Sequence, residues 1–586
     1  MVRSLTFASF LSLVGLAVGG SLHHSHSQKP TVRVKNGTYQ GVFSPGYQQD
    51  FFLGMPYAKK AQRFTPPQHL EEAWDATRLA ESYPPHCQGV GIENRGYNMS
   101  EDCLYLNVVR PHGLAPDAKL PVAVWIHGGA LINGGSAERR FNLSFIVQKS
   151  VQMKKPIIGV SLNYRLSAFG FLGSKEALHA GATNIGFRDQ RLALQWVNEN
   201  IDAFGGSPDK VTIWGESSGA ESVTAQVFAY NGQHDGLFRA AIGQSGFGGI
   251  LPRLNGGFNA TAHHQANFDD LVRSIPSCAS LVGSPAALDC LRSADLQQLD
   301  QSLAKMYPYG WPPVLDGTFL LDHGANQIAQ GKFARVPILV GTNSDEGSAF
   351  GSRLGVVNTD DDFRRAVISS ISPTAPQNLN KSLDEILDEA LHLYPNIQPL
   401  GVPSLATWPH VLQSGDDFAK EFGLQFRRRN AFIGDMLFLY FRRRANLAWS
   451  RYGIPSFAYC FDVTVNGMPP MLGATHFQEV AFVFHNIDGV GYEANPFGGN
   501  APDYSAKARA LADTMCAQWI NFIVDLDPNG DAPAANAAWP VFALQDGDGV
   551  GTNLVFGLDG PSVERDDVRA AGVNWFIEND LGLVGN

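Results

Sequence analysis

Charge is scarce in this chain. Only 17% of its 586 residues are charged, and 44 basic residues against 55 acidic ones leave a net charge of -11. Nucleic acids and anionic membranes are bound through a surplus of Lys and Arg, so neither is an expected partner. Two basic runs, Arg427-Arg428-Arg429 and Arg442-Arg443-Arg444, adjoin helical patterns and read as solvated helix faces. Long apolar runs are also missing. Beyond the N-terminus no stretch reaches the ~18 uninterrupted apolar residues of a membrane span. The polar C-terminus lacks the hydrophobic tail of a lipid-anchor signal. No stable membrane anchor is therefore expected. Internal repeats and long low-complexity linkers are absent as well, so residues 31–586 read as a single domain.

Met1-Val-Arg3, an apolar run from Leu5 to Val18 and the pair Gly19-Gly20 together fit a secretory signal, residues 1–20, with the protein secreted and extracellular. Residues 21–30 follow as a disordered leader. That leader accounts for His23, His24 and His26 better than a metal site does. Secretion gives meaning to six cysteines, at 87, 103, 278, 290, 460 and 516. Bridges Cys87–Cys103 and Cys278–Cys290 would each pin a surface loop, at ~3 kcal/mol for a loop of about 15 residues. Cys460 lies in a strand pattern and Cys516 in a helix pattern, where buried thiols and a third bridge are equally compatible. Sequons at Asn36, Asn98, Asn142, Asn259 and Asn380 are candidate N-glycosylation sites.

Strand patterns at 122–126, 156–162, 210–214, 240–244, 337–342 and 456–463 alternate with helical ones, such as 189–200. The alternation implies an α/β fold with a largely parallel sheet covered on both faces. Reactive groups then gather at the carboxyl ends of the strands. Strand 210–214 runs into Gly215-Glu216-Ser217-Ser218-Gly219 and a helix over 218–229. A serine on so sharp a turn crowds its neighbours two positions away on either side, and glycine relieves the crowding. Ser217 has Gly215 and Gly219 at those positions; Ser218 would have Glu216 and Ala220. The spacing assigns the nucleophile to Ser217.

Strand 122–126 ends in His127-Gly128-Gly129-Ala130, a loop whose backbone N–H groups can approach an oxyanion closely. The residue after the nucleophile, Ser218, offers another N–H. Strand 337–342 ends in Asn343-Ser344-Asp345-Glu346, placing two carboxylates at one strand end, and the residues alone do not choose between them. With the order Ser, acid, His, the 16 histidines reduce to His392, His410, His476 and His485. His392 falls inside the helical pattern 383–394, and His410 has no preceding strand. His476 leaves a small-residue loop after strand 456–463, which favours it over His485 at the end of an apolar run.

Phe52-Leu-Gly-Met-Pro56, Glu101-Asp-Cys-Leu-Tyr-Leu-Asn107, Asn163-Tyr-Arg165, Phe169-Gly-Phe-Leu172, the Gly215 to Gly219 motif and Trp539-Pro540 occur in this order over nearly the whole mature chain. Together they resemble the type-B carboxylesterases and lipases, the cholinesterase-like branch of the α/β-hydrolases. The resemblance implies an α/β-hydrolase fold, a central mostly parallel twisted sheet with helices on both faces. It also implies a serine carboxylesterase working through a Ser-His-Glu triad and an acyl-enzyme, on a small-molecule ester, with no metal or organic cofactor. It matches Ser217 to the nucleophile, Glu346 rather than Asp345 to the acid, and His476 to the base. Oxyanion donors fall at the backbone of Gly129, Ala130 and Ser218, and the disulfides at Cys87–Cys103 and Cys278–Cys290.

Departures from the family pattern are Ser218 where Ala is common, Ala130-Leu131 where glycine and an aromatic are common, and Ala58-Lys-Lys-Ala-Gln62 in place of a proline-glycine stretch. In lipases of the family the first disulfide closes a long amphipathic lid. Here it encloses the 15 residues 88–102, Glu93, Arg95, Glu101 and Asp102 among them. A carboxylesterase is therefore expected, with a triacylglycerol or sterol-ester lipase as the alternative. A non-catalytic cholinesterase-like binding module is a remote third reading, because such relatives typically lose a triad member.

Overall fold

The computed structural model describes residues 29–585, except 116, 251–260, 307–310, 500, 531–537 and 545–549. The expected signal 1–20, residues 21–28 of the expected leader and the Asn259 sequon lie outside the described residues. Lys29 and Pro30, placed in the leader by the sequence, already touch the fold. Lys29 pairs with Glu81 at 2.6 Å, and the Pro30 carbonyl accepts the Gly41 N–H at 2.8 Å.

An 11-stranded sheet organises the chain. Its parallel centre runs, in spatial order, through Thr552–Gly557, Ser456–Asp462, Ile338–Asn343, Ala240–Gln244, Gly206–Glu216, Leu120–Ile126 and Ile158–Leu162. Antiparallel strands close both ends: Gly560–Arg565 at one, and Tyr105–Pro111, Gln49–Pro56 and Val42–Ser44 at the other. The central strands are apolar at nearly every position because both faces are covered. Val122, Val124, Ile126, Val211 and Ile213 join one buried cluster with Leu194 and Val197 of helix Ile185–Asn200. Ala123, Trp125, Trp214, Ile242 and Leu339 join the other, beneath Ile146 of helix Leu143–Gln152 and Trp519 of helix Tyr504–Asp525. The apolar run ending at Phe484 is a short helix, Val480–Val483, that lays the Phe484 ring on Trp214 at 4.5 Å.

The strands expected from sequence are all present, with ends shifted by a few residues; Gly206–Glu216 is the most extended. Helix Ser218–Gly232 departs from helical dihedrals at Ala229, close to its expected end. Both expected disulfides are present, Cys87–Cys103 and Cys278–Cys290, while Cys460 and Cys516 are free thiols. Among the described residues no helix is long and apolar enough to cross a membrane.

The basic runs are not solvated faces. All six arginines are buried, because segments before Phe426–Gly434 and the C-terminal helix Ala570–Leu583 close over the helices that carry them. Arg427 donates to the carbonyls of Trp408 at 2.6 Å and His410 at 3.0 Å, Arg428 pairs with Asp360 at 2.7 Å, and Arg429 reaches the Gly355 carbonyl. Arg442 and Arg443 both grip the buried Asp566, Arg442 through two bonds of 2.6 and 2.8 Å, and Arg444 pairs with Asp580. A guanidinium leaves water only when carboxylates or carbonyls replace its hydration. Asp566→Ala, which strands two buried guanidiniums, is expected to lower stability by ~3–5 kcal/mol in urea unfolding, against under ~1 kcal/mol for a surface ion pair.

Candidate active site

Ser217 stands alone between strand Gly206–Glu216 and helix Ser218–Gly232 at φ 55°, ψ -127°. Such a backbone is strained for any residue but glycine, on the order of 1–3 kcal/mol, and needs its surroundings to hold it. They do so at both ends: the Ser217 N–H donates to the Gln244 carbonyl at 2.8 Å, and its carbonyl accepts the Glu221 N–H at 3.0 Å. The flanking glycines are required by contact. A Cβ on Gly215 would stand 2.4 Å from the Gly219 carbonyl group, and one on Gly219 would stand 2.1 Å from the Ile126 carbonyl oxygen. The adjacent Ser218 is buried, its hydroxyl accepting the Leu131 N–H at 3.0 Å.

The two carboxylates at the end of Ile338–Asn343 reach different points of one loop. Glu346 Oε2 lies 2.6 Å from His476 Nδ1, and its Oε1 accepts the Asn343 N–H at 2.8 Å and the Ser245 hydroxyl at 2.5 Å. Asp345 instead accepts the Ala474 N–H at 2.8 Å, holding the loop two residues before His476. His476 Nε2 lies 3.3 Å from Oε1 of Glu216, the residue before Ser217. The rings of Phe350 and Phe438 flank the imidazole with centroids 5.0 and 4.9 Å away, Phe438 rising from a π-helical turn, Asp435–Leu439. The other candidate histidines are elsewhere: His392 is exposed, His410 faces Asp416 at 3.2 Å, and His485 faces Asp513 at 2.9 Å.

Burial alone would depress the His476 imidazole, but the carboxylates of Glu346 and Glu216 outweigh it and lift its pKa to about 9. Glu216 is fully buried, which pushes its carboxyl well above the usual range. Glu479, also buried and raised by burial, accepts Gln244 Nε2 at 2.9 Å and Asn343 Nδ2 at 2.8 Å. Asn343 Nδ2 also donates to the Thr475 carbonyl at 2.7 Å, so one amide braces both the acid strand and the histidine loop.

Facing Ser217 is the turn after strand Leu120–Ile126. A Cβ on Gly128 would come within 3.2 Å of Ser217 Cβ. Gly129, Ala130 and Leu131 follow with φ of 101°, 60° and 60°, a run of left-handed residues that turns successive peptide planes. Gly129 admits no side chain, since its Cβ would lie 2.1 Å from the Asn133 carbonyl oxygen. The structure thus gathers the Ser217 turn, the Gly129-Ala130 turn, Ser218, Glu346 and His476 at the carboxyl end of the central strands.

Ser245, Glu216, Glu479, Phe350 and Phe438 were not singled out from sequence. Ser245 was within reach, since it directly follows strand Ala240–Gln244 at that same carboxyl end. Glu216 lies inside the serine motif itself. The aromatic pair carries no local signal.

Residues 28–554 match the model of the carboxylesterase family. Secreted lipase 1 of Botryotinia fuckeliana (strain B05.10) is 32% identical over 555 residues, 88% of each chain. Lipase 1 of Geotrichum candidum is 34% identical over 588 residues, 97% of this chain and 91% of that one. Among solved structures, Aspergillus niger EstA superposes with a TM-score of 0.75 at 25% identity, covering 96% of this chain and all of its own. A PNB esterase reaches 0.70 at 26% identity, covering 93% of this chain. The chain belongs to the carboxylesterase family and has its α/β-hydrolase fold, and its class of chemistry is carboxylic ester hydrolysis.

Proposed function

We propose that the protein is a secreted serine carboxylesterase with Ser217 as nucleophile, His476 as base and Glu346 as acid. The observation that carries the reading is the 2.6 Å contact between His476 Nδ1 and Glu346 Oε2, with His476 Nε2 3.3 Å from Glu216, the residue before the strained turn of Ser217. Ser217 Oγ attacks the ester carbonyl while His476 Nε2 takes its proton, and Glu346 holds the imidazole and balances the charge it gains. The backbone N–H groups of Gly129, Ala130 and Ser218 receive the oxyanion. His476 returns the proton to the departing alcohol, and water repeats the cycle on the acyl-enzyme to release the acid. No metal or organic cofactor enters this sequence.

Secretion rests on the N-terminal signal pattern and on relatives named as secreted lipases. Of the described sequons, Asn98 and Asn380 are exposed and best placed to carry glycan. Asn142 caps a helix by accepting the Ser144 N–H, and Asn36 is buried with its Nδ2 donating to the Leu70 and Glu72 carbonyls.

The second reading is a lipase, favoured by relatives carrying that name. Against it stands the short disulfide loop, which is hydrogen-bonded to the 127–134 turn through the Val90 N–H and the Ile132 carbonyl at 2.8 Å. That contact supports a fixed segment over a mobile lid.

Ser217→Ala is expected to lower turnover of a soluble p-nitrophenyl ester on the order of 10⁴- to 10⁶-fold; near-normal turnover would remove the assignment. The raised His476 pKa fixes a sign: the base must be neutral, so kcat/KM should fall as pH drops through an acid limb lying above 6.5, the ordinary histidine value. Glu346→Gln should move that limb downward, because the opposing charge is gone. A wild-type limb at or below 6.5 contradicts the electrostatics. For the second reading, rates on a short-chain ester below and above its solubility limit should rise smoothly; a jump at emulsification would favour the lipase.

A further inference from the structure

The turn proposed to receive the oxyanion is not held by its own backbone alone. Gly129 and Ala130 share one rigid peptide plane, so the direction of the Gly129 carbonyl fixes the opposite direction of the Ala130 N–H. Three donors converge on that carbonyl. Two belong to the turn, the Ile132 and Asn133 N–H groups, each at 3.1 Å. The third and shortest is the side-chain amide of Asn133, Nδ2 to oxygen at 2.7 Å.

The other end of the same amide leaves the turn. Asn133 Oδ1 accepts the Glu93 N–H at 2.8 Å, and Glu93 lies on the loop closed by Cys87–Cys103. That loop touches the turn on either side of Asn133 as well: the Val90 N–H meets the Ile132 carbonyl at 2.8 Å, and Asn94 Oδ1 accepts the Gly134 N–H at 3.0 Å. Gly91 fits against the amide itself, for a Cβ there would stand 2.4 Å from Asn133 Cγ and Oδ1. Asn133 is buried, at 6% exposure, so no water replaces either partner freely.

We propose that Asn133 is a positioning residue, whose side-chain amide joins the disulfide loop to the Gly129 carbonyl and so aims the Ala130 N–H at the substrate's carbonyl oxygen. The short loop is then a brace for the site. The inference rests on the chemistry proposed above, because it assigns the Ala130 N–H an oxyanion to receive. An oxyanion donor acts only if held in place beforehand, and losing one outright lowers kcat by about 10²–10³-fold. Misdirecting one should lower it less.

The test uses the full-length protein, with kcat expressed per active site titrated by an organophosphonate ester. Asn133→Ala is expected to lower kcat by roughly 10- to 100-fold, with KM changed by less than about 3-fold, scaled from the loss of one donor. A trifluoromethyl ketone, which forms an oxyanion on the serine, should bind more weakly by about the same factor. Asn133→Asp separates the two halves of the amide. It keeps an acceptor for the Glu93 N–H but sets a carboxylate against the Gly129 carbonyl, and it should be impaired at least as much as Asn133→Ala.

Per-site kcat and ketone affinity of Asn133→Asp equal to wild type would overturn the proposal. So would variants that lose titratable sites but keep full kcat at each, since that is the mark of a merely structural residue. If neither variant folds, Gly91→Ala decides: it displaces the amide from the loop side, in extended backbone at φ 160° that alanine adopts. Reduced per-site kcat supports the brace, and unchanged kcat overturns it. Activity surviving Ser217→Ala would instead refute the proposed chemistry, which keeps the two failures apart.

Discussion

One hydrogen bond, from the partly buried His476 Nδ1 to the buried Glu346 Oε2, is the constraint around which the site is arranged. Short and charge-assisted, it keeps the imidazole in a single orientation with Nε2 turned toward the serine motif. It also requires much of its surroundings. A carboxylate this deep is tolerated only with its remaining lone pairs used, and the Asn343 N–H and Ser245 hydroxyl use them. The Asn343 side chain ties the same strand end to the histidine loop and to Glu479, which Gln244 supports in turn. Gln244 also receives the Trp214 indole N–H at 2.5 Å and, through its backbone carbonyl, the N–H of Ser217. A polar network thus runs from the acid to the strained turn with few unpaired groups, and it specifies one geometry.

The fold makes that network possible. Parallel strands from distant parts of the chain end along one edge, so short loops bring side chains more than 100 residues apart into contact. Apolar residues on both faces fix each strand, and what remains free to vary is the loops. In this chain the loop after Cys87 is short and tied down.

Much of the sheet was legible because its strands are apolar runs bounded by turn residues, as at 122–126 and 240–244. The sharp turn at Ser217 was legible because crowding between strand and helix demands Gly215 and Gly219 locally. Asp345 and Glu346 could not be ranked from the residues, since neighbouring carboxylates on one loop are separated only by where the backbone points them; resemblance to the family chose Glu346. The arginine runs were misread because charge in a helix usually marks a wet face, and their partners Asp566, Asp580 and Asp360 lie far off in sequence. Asn133 and Ser245 escaped notice for the same reason: each acts through a hydrogen bond whose other end is distant in the chain.

The central claim, that this network activates one particular serine, is tested most directly by locating the covalent adduct of a fluorophosphonate ester by peptide mass spectrometry. The account requires stoichiometric modification at Ser217, with labelling abolished by heat denaturation and greatly slowed in His476→Ala. An adduct on Ser218 or elsewhere, or a folded protein that takes no label, would contradict it.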